Sequence, residues 1–143
     1  MNESNNLIKL NKLGNKDSGY LSFFESNNDI PFDIKRVYYI YDVPMNTKRG
    51  MHAHKHLQQL LWCPYGSIEI LMNDGKKSKS YLLDSPEIGL LVGNGIWREM
   101  HWKKEGSVLC VVASDYYDES DYIRNYDDFI KMVKEGYWNE DRI

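Results

Sequence analysis

Short strand-like segments, separated by turns about every ten residues, constrain the fold of this chain more than any other feature. Each segment is rich in β-branched and aromatic residues or alternates apolar with polar positions; they cover residues 7–13, 20–25, 34–42, 58–63, 67–73, 77–83, 88–92, 96–102 and 107–114. Asn73-Asp74-Gly75 is a strong hairpin signal between two of them. Over residues 119–135 the apolar spacing becomes one, three and four, which predicts helix. The sequence therefore predicts an all-β sandwich or small barrel with a short C-terminal helical segment.

The size and charge of the chain favour one ordinary domain. We expect its 143 residues to form a single domain over 1–143, with a core at about 7–115 and a helical tail at about 119–136. The net charge of −3 provides no basic field for nucleic acid or an anionic membrane. No apolar run approaches the ~20 residues of a membrane span, and the polar first six residues do not resemble a signal peptide. Neither nucleic acid nor a membrane is expected as a partner, and we expect a cytoplasmic protein.

Three of the four histidines, His52, His54 and His56, fall within five residues. If this stretch is a strand, side chains alternate between its faces, so the three imidazoles point the same way. Such a row of imidazoles can bind a metal, move protons or face solvent. For His56, at the end of the stretch, a surface position is the leading interpretation.

A glycine shortly before His-x-His in an all-β chain is the pattern of the cupin jelly roll. Metal-binding cupins add an acidic residue a few positions later and a last histidine from a later strand, because a divalent metal needs three or more protein ligands. Here Gln58 and Gln59 occupy the positions of the acid, and Arg98 stands where the last histidine would. A guanidinium cannot ligate a metal. We therefore expect no metal.

A cavity with imidazoles, an arginine and tyrosines is suited to general acid–base chemistry on an anionic or carbonyl-bearing substrate. Histidine titrates near neutral pH, so it can accept and return a proton. Arginine provides fixed positive charge for a phosphate or a developing enolate oxygen. A tyrosine hydroxyl can relay a proton or donate a hydrogen bond.

Five separated motifs follow one another in order: Arg36-Val37-Tyr38-Tyr39-Ile40-Tyr41, Arg49-Gly50-x-His52-x-His54-Lys55, Asp84-Ser85-Pro86-x-x-Gly89-Leu90, Trp97-Arg98-Glu99-Met100 and the run from Ala113 to Arg124. In residue type and spacing they resemble the nucleotide-sugar 3,4-ketoisomerases, which are metal-free cupins called WxcM-like. The resemblance covers about residues 7 to 133. It implies a cupin, RmlC-like jelly-roll barrel and an isomerase that acts on dTDP-4-keto-6-deoxy-D-glucose and requires no redox or metal cofactor.

The resemblance also implies roles for individual residues. His52 aligns with the base that removes the proton at sugar C3, so that an enediol forms and the carbonyl moves from C4 to C3. Tyr38 aligns with a tyrosine that handles protons on the sugar oxygens. Arg49 and His54 align with residues lining the same pocket. The product would lead to 3-amino-3,6-dideoxyhexoses of surface polysaccharide such as the O-antigen of lipopolysaccharide.

Further substrate-binding candidates are Arg98, Gln59, Ser67, Trp97 and Ser18. Gln58 and Gln59 cannot both face the cavity from an extended strand. Gln59 is the candidate, although the sequence leaves open which of the two faces the cavity. The resemblance implies that arginine at position 98 favours the gluco-configured product over the galacto one. A second position, which is arginine or tyrosine in the enzymes of these two product groups, is Ser18 here and matches neither group. Trp97 is expected either in the core or as a wall of the pocket.

The family is dimeric with exchanged N-terminal strands. The resemblance therefore implies a homodimer in which residues 7–13 pair with the partner subunit.

Three other functions remain open. A dTDP-sugar 3,5-epimerase also uses a histidine base in a metal-free cupin, but that family pairs the base with an aspartate, and no comparable His–Asp arrangement is evident in the sequence. A sugar-binding cupin without catalysis would share the pocket. A metal-dependent dioxygenase would require bound metal. The acidic residues from Asp115 to Asp121 are interpreted as a solvated helix N-terminus, and the neighbouring Tyr116, Tyr117 and Tyr122 as packing.

Overall fold

The computed structural model describes residues 6–139 and 142–143. Its elements are, in chain order, β1 (Leu7–Lys9), β2 (Asn11–Asn15), β3 (Gly19–Phe23), β4 (Arg36–Ile40), β5 (Lys48–His54), β6 (Gln59–Tyr65), β7 (Ile68–Asn73), β8 (Ser78–Leu83), β9 (Ile88–Val92), β10 (Trp97–Trp102), β11 (Val108–Ala113), a 3-10 turn (Glu119–Asp121), β12 (Tyr122–Ile123) and α1 (Tyr126–Lys134). No helix among the described residues has the length and apolar character needed to cross a membrane.

Two five-stranded antiparallel sheets form the body of the protein. One has the order β1-β9-β6-β11-β4 and the other the order β12-β5-β10-β7-β8, while β2 and β3 form a separate two-stranded ribbon. Apart from the β7–β8 hairpin, the strands from β4 to β11 alternate between the two sheets, which is the connectivity of a jelly roll. The prediction of an all-β, cupin-type barrel with a short C-terminal helix is confirmed.

The main core fills the space between the two sheets. In β7, the buried Ile68, Ile70 and Met72 alternate with half-buried residues, because successive side chains of a strand point to opposite faces. They pack with inward residues of the other strands, among them Leu90 and Val111. Burying one such side chain contributes about 1.5–3 kcal/mol, so this cluster supplies much of the rigidity on which a site inside the barrel depends.

The outer faces of both sheets are covered by segments from the two ends of the chain. Leu10, Ile30 and Phe32 pack on Leu60 and Val112 of the first sheet. On the second sheet, α1 presents Phe129 to a cluster that contains three residues of the strands: Ala53, Trp97 and Ile123. The side chain of Asn125 accepts a hydrogen bond from the Asp128 N–H and caps the start of α1.

The predicted helical tail differs in its first part from the structure. Tyr122 and Ile123 form β12, which pairs with His54 and Ala53 of β5. The 3-10 turn before it is capped by Asp118, whose side chain accepts from the Ser120 N–H. The apolar spacing in this part of the chain reflects two short elements packed on one sheet rather than one long helix.

The N-terminal segment also differs in detail from the expectation. Residues 7–13 are not one strand, because the chain breaks at the buried Leu10 and continues as β2. In the single chain, β1 pairs with β9 of its own sheet, with Ile8 opposite Gly89. The β2–β3 ribbon leaves Leu13, Tyr20 and Leu21 more than half exposed.

Candidate active site

A β-bulge in β5 sets which side chains enter the barrel. His52 pairs with Arg98 of β10, but Gly50 rather than Met51 pairs with Glu99, so β5 contains one extra residue at this point. Gly50 and Met51 have φ values of 87° and 53°, in the left-handed region. A Cβ on Gly50 would lie 3.0 Å from the Arg98 carbonyl oxygen, so glycine also allows the close approach of the strands.

The bulge reverses the alternation of side chains along β5, and this changes the face on which Arg49 lies. Strict alternation would place Arg49 and His52 on opposite faces. Because of the extra residue, Arg49 instead pairs with Met100, whose side chain belongs to the inter-sheet core. Arg49 and His52 consequently line the same cleft. Bulges are common beside active sites, where they redirect a side chain in this way.

His52 and His54 form an aromatic group with Tyr122 of β12. The centroid of the His54 ring lies 4.9 Å from that of His52 and 4.3 Å from that of Tyr122. The His52 and Tyr122 rings are 5.1 Å apart. Each of the three rings therefore limits the orientation of the other two. His52 and Tyr122 line the open cleft, whereas His54 lies behind them.

Asp121 holds the fully buried His54. Its Oδ2 atom lies 3.1 Å from His54 Nδ1, and the same carboxylate accepts the backbone N–H groups of His56 at 2.8 Å and Leu57 at 3.2 Å. A carboxylate accepts hydrogen bonds, so His54 Nδ1 carries the proton and Nε2 carries the lone pair. His54 Nε2 has no hydrogen-bond partner among the described residues.

A chain of hydrogen bonds connects Arg98, Gln59 and Tyr38. Arg98 is fully buried; its Nε and Nη2 atoms both donate to the Ile96 carbonyl oxygen at 3.2 Å, and Nη1 donates to Gln59 Oε1 at 2.5 Å. Arginine has no acceptor, so this contact fixes the amide orientation of Gln59. Gln59 Nε2 then donates to the Tyr38 hydroxyl oxygen at 2.9 Å. The Tyr38 hydrogen remains available to a group in the cleft.

The cleft above His52 has a volume of about 290 Å³. Its lining residues carry positive charge and aromatic rings: Arg36, Tyr38, Ile40, Arg49, Gly50, His52, Met100, Tyr117, Tyr122 and Arg124. Arg124 is held by Glu119 through two hydrogen bonds of 2.6 and 2.9 Å, and its guanidinium lies 4.3 Å from the Tyr122 ring centroid. This concentration of cations, in a chain with net charge −3, favours an anionic ligand.

Both inward histidines are neutral at physiological pH. Burial, and next the positive charge of Arg98, lower the pKa of His52 to about 3. The same two causes, in the same order, lower the pKa of His54 to about 2. A neutral imidazole has a free lone pair, so His52 can accept a proton from a bound molecule.

The neighbouring groups keep their protons. Burial raises the pKa of the Tyr38 hydroxyl, although the charge of Arg98 and the hydrogen bond from Gln59 lower it in part. Burial lowers the pKa of Arg98 to about 10, which leaves the guanidinium charged at neutral pH. The site therefore contains a neutral base, a hydroxyl donor and a buried cation.

Six of the nine predicted site residues converge in this region: His52, Tyr38, His54, Arg49, Arg98 and Gln59. Three others do not. Trp97 points away from the barrel interior, because its neighbour Arg98 occupies the inward face of β10. On the outer face it packs on Tyr126 and Phe129 of α1.

Ser67 and Ser18 also lie away from the histidines. Ser67 precedes β7, and its backbone N–H and carbonyl groups form hydrogen bonds with the Ser107 hydroxyl. This is the end of the barrel where Ile68 pairs with Trp102. Trp102 lies four residues beyond Arg98 on β10, a distance of about 13 Å along the strand. Ser18 lies on the exposed turn between β2 and β3, where its N–H and hydroxyl donate to Asn15 Oδ1.

Five residues of the site were missed by the sequence reasoning: Arg36, Tyr117, Asp121, Tyr122 and Arg124. The interpretation of Asp121 as a solvated helix residue was wrong, since its carboxylate is part of a His–Asp pair with His54. The sequence prediction that the chain has no His–Asp pair is wrong for the same reason. His54 lies at the end of β5 and Asp121 lies just before β12. The sequence did not identify β5 and β12 as paired strands.

Among residues 6–139 and 142–143, no three His, Cys, Asp or Glu side chains come together as a metal site requires. The nearest approach to such a group is His52, His54 and Asp121, but Arg98 pairs directly with His52 in the adjacent strand. A buried cation at that position opposes binding of a second one.

Comparison with known proteins identifies the family. The family model described as "FdtA: WxcM-like, C-terminal" matches residues 3–134. The chain belongs to this family. A curated relative from Aneurinibacillus thermoaerophilus, TDP-4-oxo-6-deoxy-alpha-D-glucose-3,4-oxoisomerase, is 50% identical over 115 residues, which are 80% of this chain and 83% of the relative. The predictions of a WxcM-like family and of an isomerase are therefore confirmed.

Solved structures of FdtA-family enzymes are similar over nearly the whole chain. The 3,4-ketoisomerase QdtA from Thermoanaerobacterium thermosaccharolyticum, solved in complex with TDP, is 46% identical with a TM-score of 0.87 and covers 92% of this chain and 96% of its own. The TDP-quinovose 3,4-ketoisomerase WlaRB from Campylobacter jejuni is 46% identical with a TM-score of 0.83 and covers 87% and 95%.

Two other structures are less similar in sequence. The TDP-fucose-3,4-ketoisomerase WlaRA from Campylobacter jejuni is 31% identical with a TM-score of 0.84 and covers 92% of this chain and 97% of its own. A dTDP-4-dehydrorhamnose 3,5-epimerase from Bacillus anthracis is 18% identical with a TM-score of 0.73, covers 84% and 79%, and shares the fold.

Proposed function

We propose that this FdtA-family isomerase converts TDP-4-keto-6-deoxy-D-glucose to the TDP-linked 3-keto-6-deoxy sugar, with His52 as the base. The observation that carries the proposal is the position of the His52 imidazole in the same arginine-lined cleft as the Tyr38 hydroxyl. A ketoisomerase needs a base beside the carbon that loses a proton and a proton donor at the carbonyl oxygen. No redox or metal cofactor enters this proposal.

The charges in the cleft support binding of the diphosphate. Arg36, Arg49 and Arg124 all line it, and guanidinium groups bind phosphate oxygens with charge-assisted, bidentate hydrogen bonds. Relatives support the nucleotide: QdtA was solved with TDP, and a histidine-to-asparagine variant of QdtA with TDP-4-keto-6-deoxyglucose. Tyr117 and Tyr122 provide aromatic surface in the same cleft for the base or sugar rings.

The first step removes a proton next to the carbonyl group. His52 takes the proton from sugar C3, the electron pair forms the C3–C4 double bond, and the carbonyl oxygen at C4 gains a proton. Tyr38 suits this donation because Gln59 already supplies its oxygen with a hydrogen bond and leaves its hydrogen free. The buried charge of Arg98 stabilises the negative charge that develops on the oxygen.

The second step returns a proton to the other carbon. As the C3 carbonyl forms, Tyr38 takes back a proton from the C3 hydroxyl, C4 gains a proton, and His52 releases the one that it removed, so both side chains return to their starting states. His54 supports the first step as a positioning residue, since its Nδ1–H is held by Asp121 and its ring packs against His52.

We assign the gluco configuration to the product. Arg98 is the residue that favours it, and the chain is 46% identical to a TDP-quinovose ketoisomerase but 31% identical to a TDP-fucose ketoisomerase. Quinovose is 6-deoxyglucose, whereas fucose has the galacto configuration. A 3-keto sugar is the substrate of an aminotransferase that would make 3-amino-3,6-dideoxyglucose for surface polysaccharide. Use of a TDP-sugar is consistent with the cytoplasm as the location.

A homodimer with exchanged N-terminal strands is also part of the proposal. The β2–β3 ribbon exposes Leu13, Tyr20 and Leu21, and the outer face of the edge strand β4 exposes Val37 and Tyr39. An exposed edge strand with apolar side chains favours association with another chain. Light scattering coupled to size-exclusion chromatography should give twice the mass of one chain; a monomer would refute this part.

Proton NMR with TDP-4-keto-6-deoxyglucose in deuterated water tests the reaction. Deuterium at C4 together with a new 3-keto sugar is the expected result, and the sugar coupling constants give the configuration. A second candidate is a 3,5-epimerase, favoured by the His54–Asp121 pair. Epimerisation would place deuterium at C3 and C5 without moving the carbonyl group. Absence of any exchange would contradict both activities and leave a sugar-binding cupin.

The role of His52 is tested separately by His52→Ala. This variant should lose turnover at least 1,000-fold while TDP binds within about threefold of the unchanged protein, because the base acts in the transition state. His56→Ala is the matched control: His56 is exposed beyond the end of β5 and should be replaceable without loss of activity. Full activity of His52→Ala would exclude it as the base.

A further inference from the structure

The last residues of the chain form an arm that returns to the strands of the active site. This C-terminal arm, defined here as residues 137–139 and 142–143, follows α1 and lies beyond residue 134, where the family match ends. Trp138, Arg142 and Ile143 are half-buried. Ile143 packs against the core cluster between the sheets. The arm therefore forms part of the folded structure.

Trp138 contacts the chain directly after the catalytic strand. Its indole N–H donates to the Lys55 carbonyl oxygen at 2.9 Å, and its ring packs on Phe129 of α1 at 5.7 Å between centroids. Lys55 follows His54 in sequence, and its own N–H donates to the Asp121 carbonyl oxygen at 2.9 Å. Trp138 thus binds the segment that connects His54 to the rest of the site.

Arg142 binds the turn that precedes β10. Its Nε atom donates to the Gly95 carbonyl oxygen at 2.9 Å, and its terminal nitrogens donate to the carbonyl oxygens of Asp74 and Asn139. The guanidinium also lies 5.3 Å from the Trp138 ring centroid. A planar guanidinium can hold three carbonyl groups at once, whereas an ammonium group at the same position cannot reproduce this fork.

The turn held by Arg142 is joined to both active-site strands. The Gly95 N–H donates to the His54 carbonyl oxygen at 2.8 Å. The next carbonyl group, that of Ile96, accepts two hydrogen bonds of 3.2 Å from Arg98. A shift of this turn would therefore move His54 and Arg98 together.

Gly95 is a tight point of contact between the turn and the arm. Its φ is 66°, and a Cβ built there would lie 2.6 Å from the Trp138 ring and 2.7 Å from Arg142 Nε. Both the backbone conformation and the available space therefore require glycine. The arm fills the volume that a side chain at this position would occupy.

We propose that the C-terminal arm is a clamp that positions His54 and Arg98, with Trp138 and Arg142 as its positioning residues. The clamp joins the end of β5 to the turn before β10, where these two residues are held. The inference that this affects turnover rests on the proposed ketoisomerase activity, whereas the clamp itself rests on these contacts.

The clamp predicts an effect on kcat rather than on KM. The described hydrogen bonds of Trp138 and Arg142 do not involve the arginines of the cleft that would bind the diphosphate. A displacement of about 1 Å in catalytic groups can cost about 100-fold in rate. A loosened arm should therefore leave nucleotide binding intact and slow the chemical step.

The test is the double variant Trp138→Phe/Arg142→Lys, which keeps a ring and a positive charge but removes the indole N–H and the guanidinium fork. We expect kcat to fall at least tenfold, with KM and TDP affinity within threefold of the unchanged protein. Trp62→Phe is the matched control, because Trp62 packs on Phe24 at the outer face of the other sheet. It should keep full kcat.

Amide hydrogen exchange of Gly95, measured by NMR, provides a readout that does not need turnover. The Gly95 N–H bonded to His54 should exchange at least tenfold faster in the double variant and at the normal rate in Trp62→Phe. A folded double variant with kcat within twofold and unchanged Gly95 exchange would overturn the clamp. If the unchanged protein lacks ketoisomerase activity, the proposed function fails, and the Gly95 exchange rate still decides the clamp.

Discussion

Gln59 connects the buried cation of Arg98 to the hydroxyl group of Tyr38, and Gln59→Leu tests how much this connection stabilises the protein. Leucine has a similar volume but no polar atoms, so Arg98 Nη1 loses its acceptor at 2.5 Å. The other bonded nitrogens of Arg98 keep the Ile96 carbonyl oxygen. Removing a partner from a buried charge costs about 3–5 kcal/mol. Since part of the coordination remains, we expect the free energy of unfolding to fall by about 3 kcal/mol.

The assay is urea unfolding followed by tryptophan fluorescence, with thermal unfolding as a second measurement. For a chain near 150 residues, each kcal/mol corresponds to roughly 2–4 °C, so Tm should fall by about 10 °C. Gln58→Leu is the matched control: it is the same change one residue earlier, at a side chain that is only half-buried, and should cost less than about 1 kcal/mol. Equal stability of the two variants would refute the argument that Gln59 compensates the buried charge of Arg98.

Three further predictions follow from the same geometry. Burial and the charge of Arg98 hold the pKa values of His52 and His54 far below the usual 6.5, so the unfolded state binds more protons below pH 6.5. Each histidine contributes about 2 kcal/mol to this effect, so the free energy of unfolding should fall by about 4 kcal/mol between pH 7 and pH 5. Stability independent of pH in this range, measured by urea unfolding, would be inconsistent with neutral buried imidazoles. Arg49→Ala should weaken TDP binding about tenfold by calorimetry, as expected for loss of a charge-assisted hydrogen bond, while Lys48→Ala stays within twofold; equal effects would mean that the bulge does not direct Arg49 into the cleft. Asp121→Asn should change the His54 tautomer population in nitrogen NMR spectra and lower kcat at least tenfold; an unchanged spectrum would show that the carboxylate does not fix the ring.

The fold was predictable because its signals are local. Strand segments with period-two alternation, such as Ile68, Ile70 and Met72 in β7, need no knowledge of the partner strand to be recognised. The short C-terminal helix was predictable in the same way, but its start was not. Tyr122 and Ile123 carry apolar side chains at a spacing that suits a helix, and only the pairing with β5 makes them a strand.

The site was predictable where one residue type at one spacing was sufficient, as for His52 and His54. Strand alternation could also have excluded Trp97, because it is adjacent to the inward Arg98. The same rule misplaces Arg49, since the bulge at Met51 depends on the close approach of two strands that are distant in sequence. Asp121 belongs to the site through a tertiary contact with a buried histidine, a contact that no local pattern encodes.

The strand order has a consequence for the time at which the barrel can form during synthesis. β11, near the end of the chain, lies between β6 and β4 at one side of the first sheet. β4 therefore cannot pair with β11 until residue 113 has left the ribosome, some seventy residues after the synthesis of β4. Such long-range pairing is slow to form. A nascent chain would therefore expose β4 and its tyrosines for about half of its translation, which makes this strand a segment that a folding chaperone can bind.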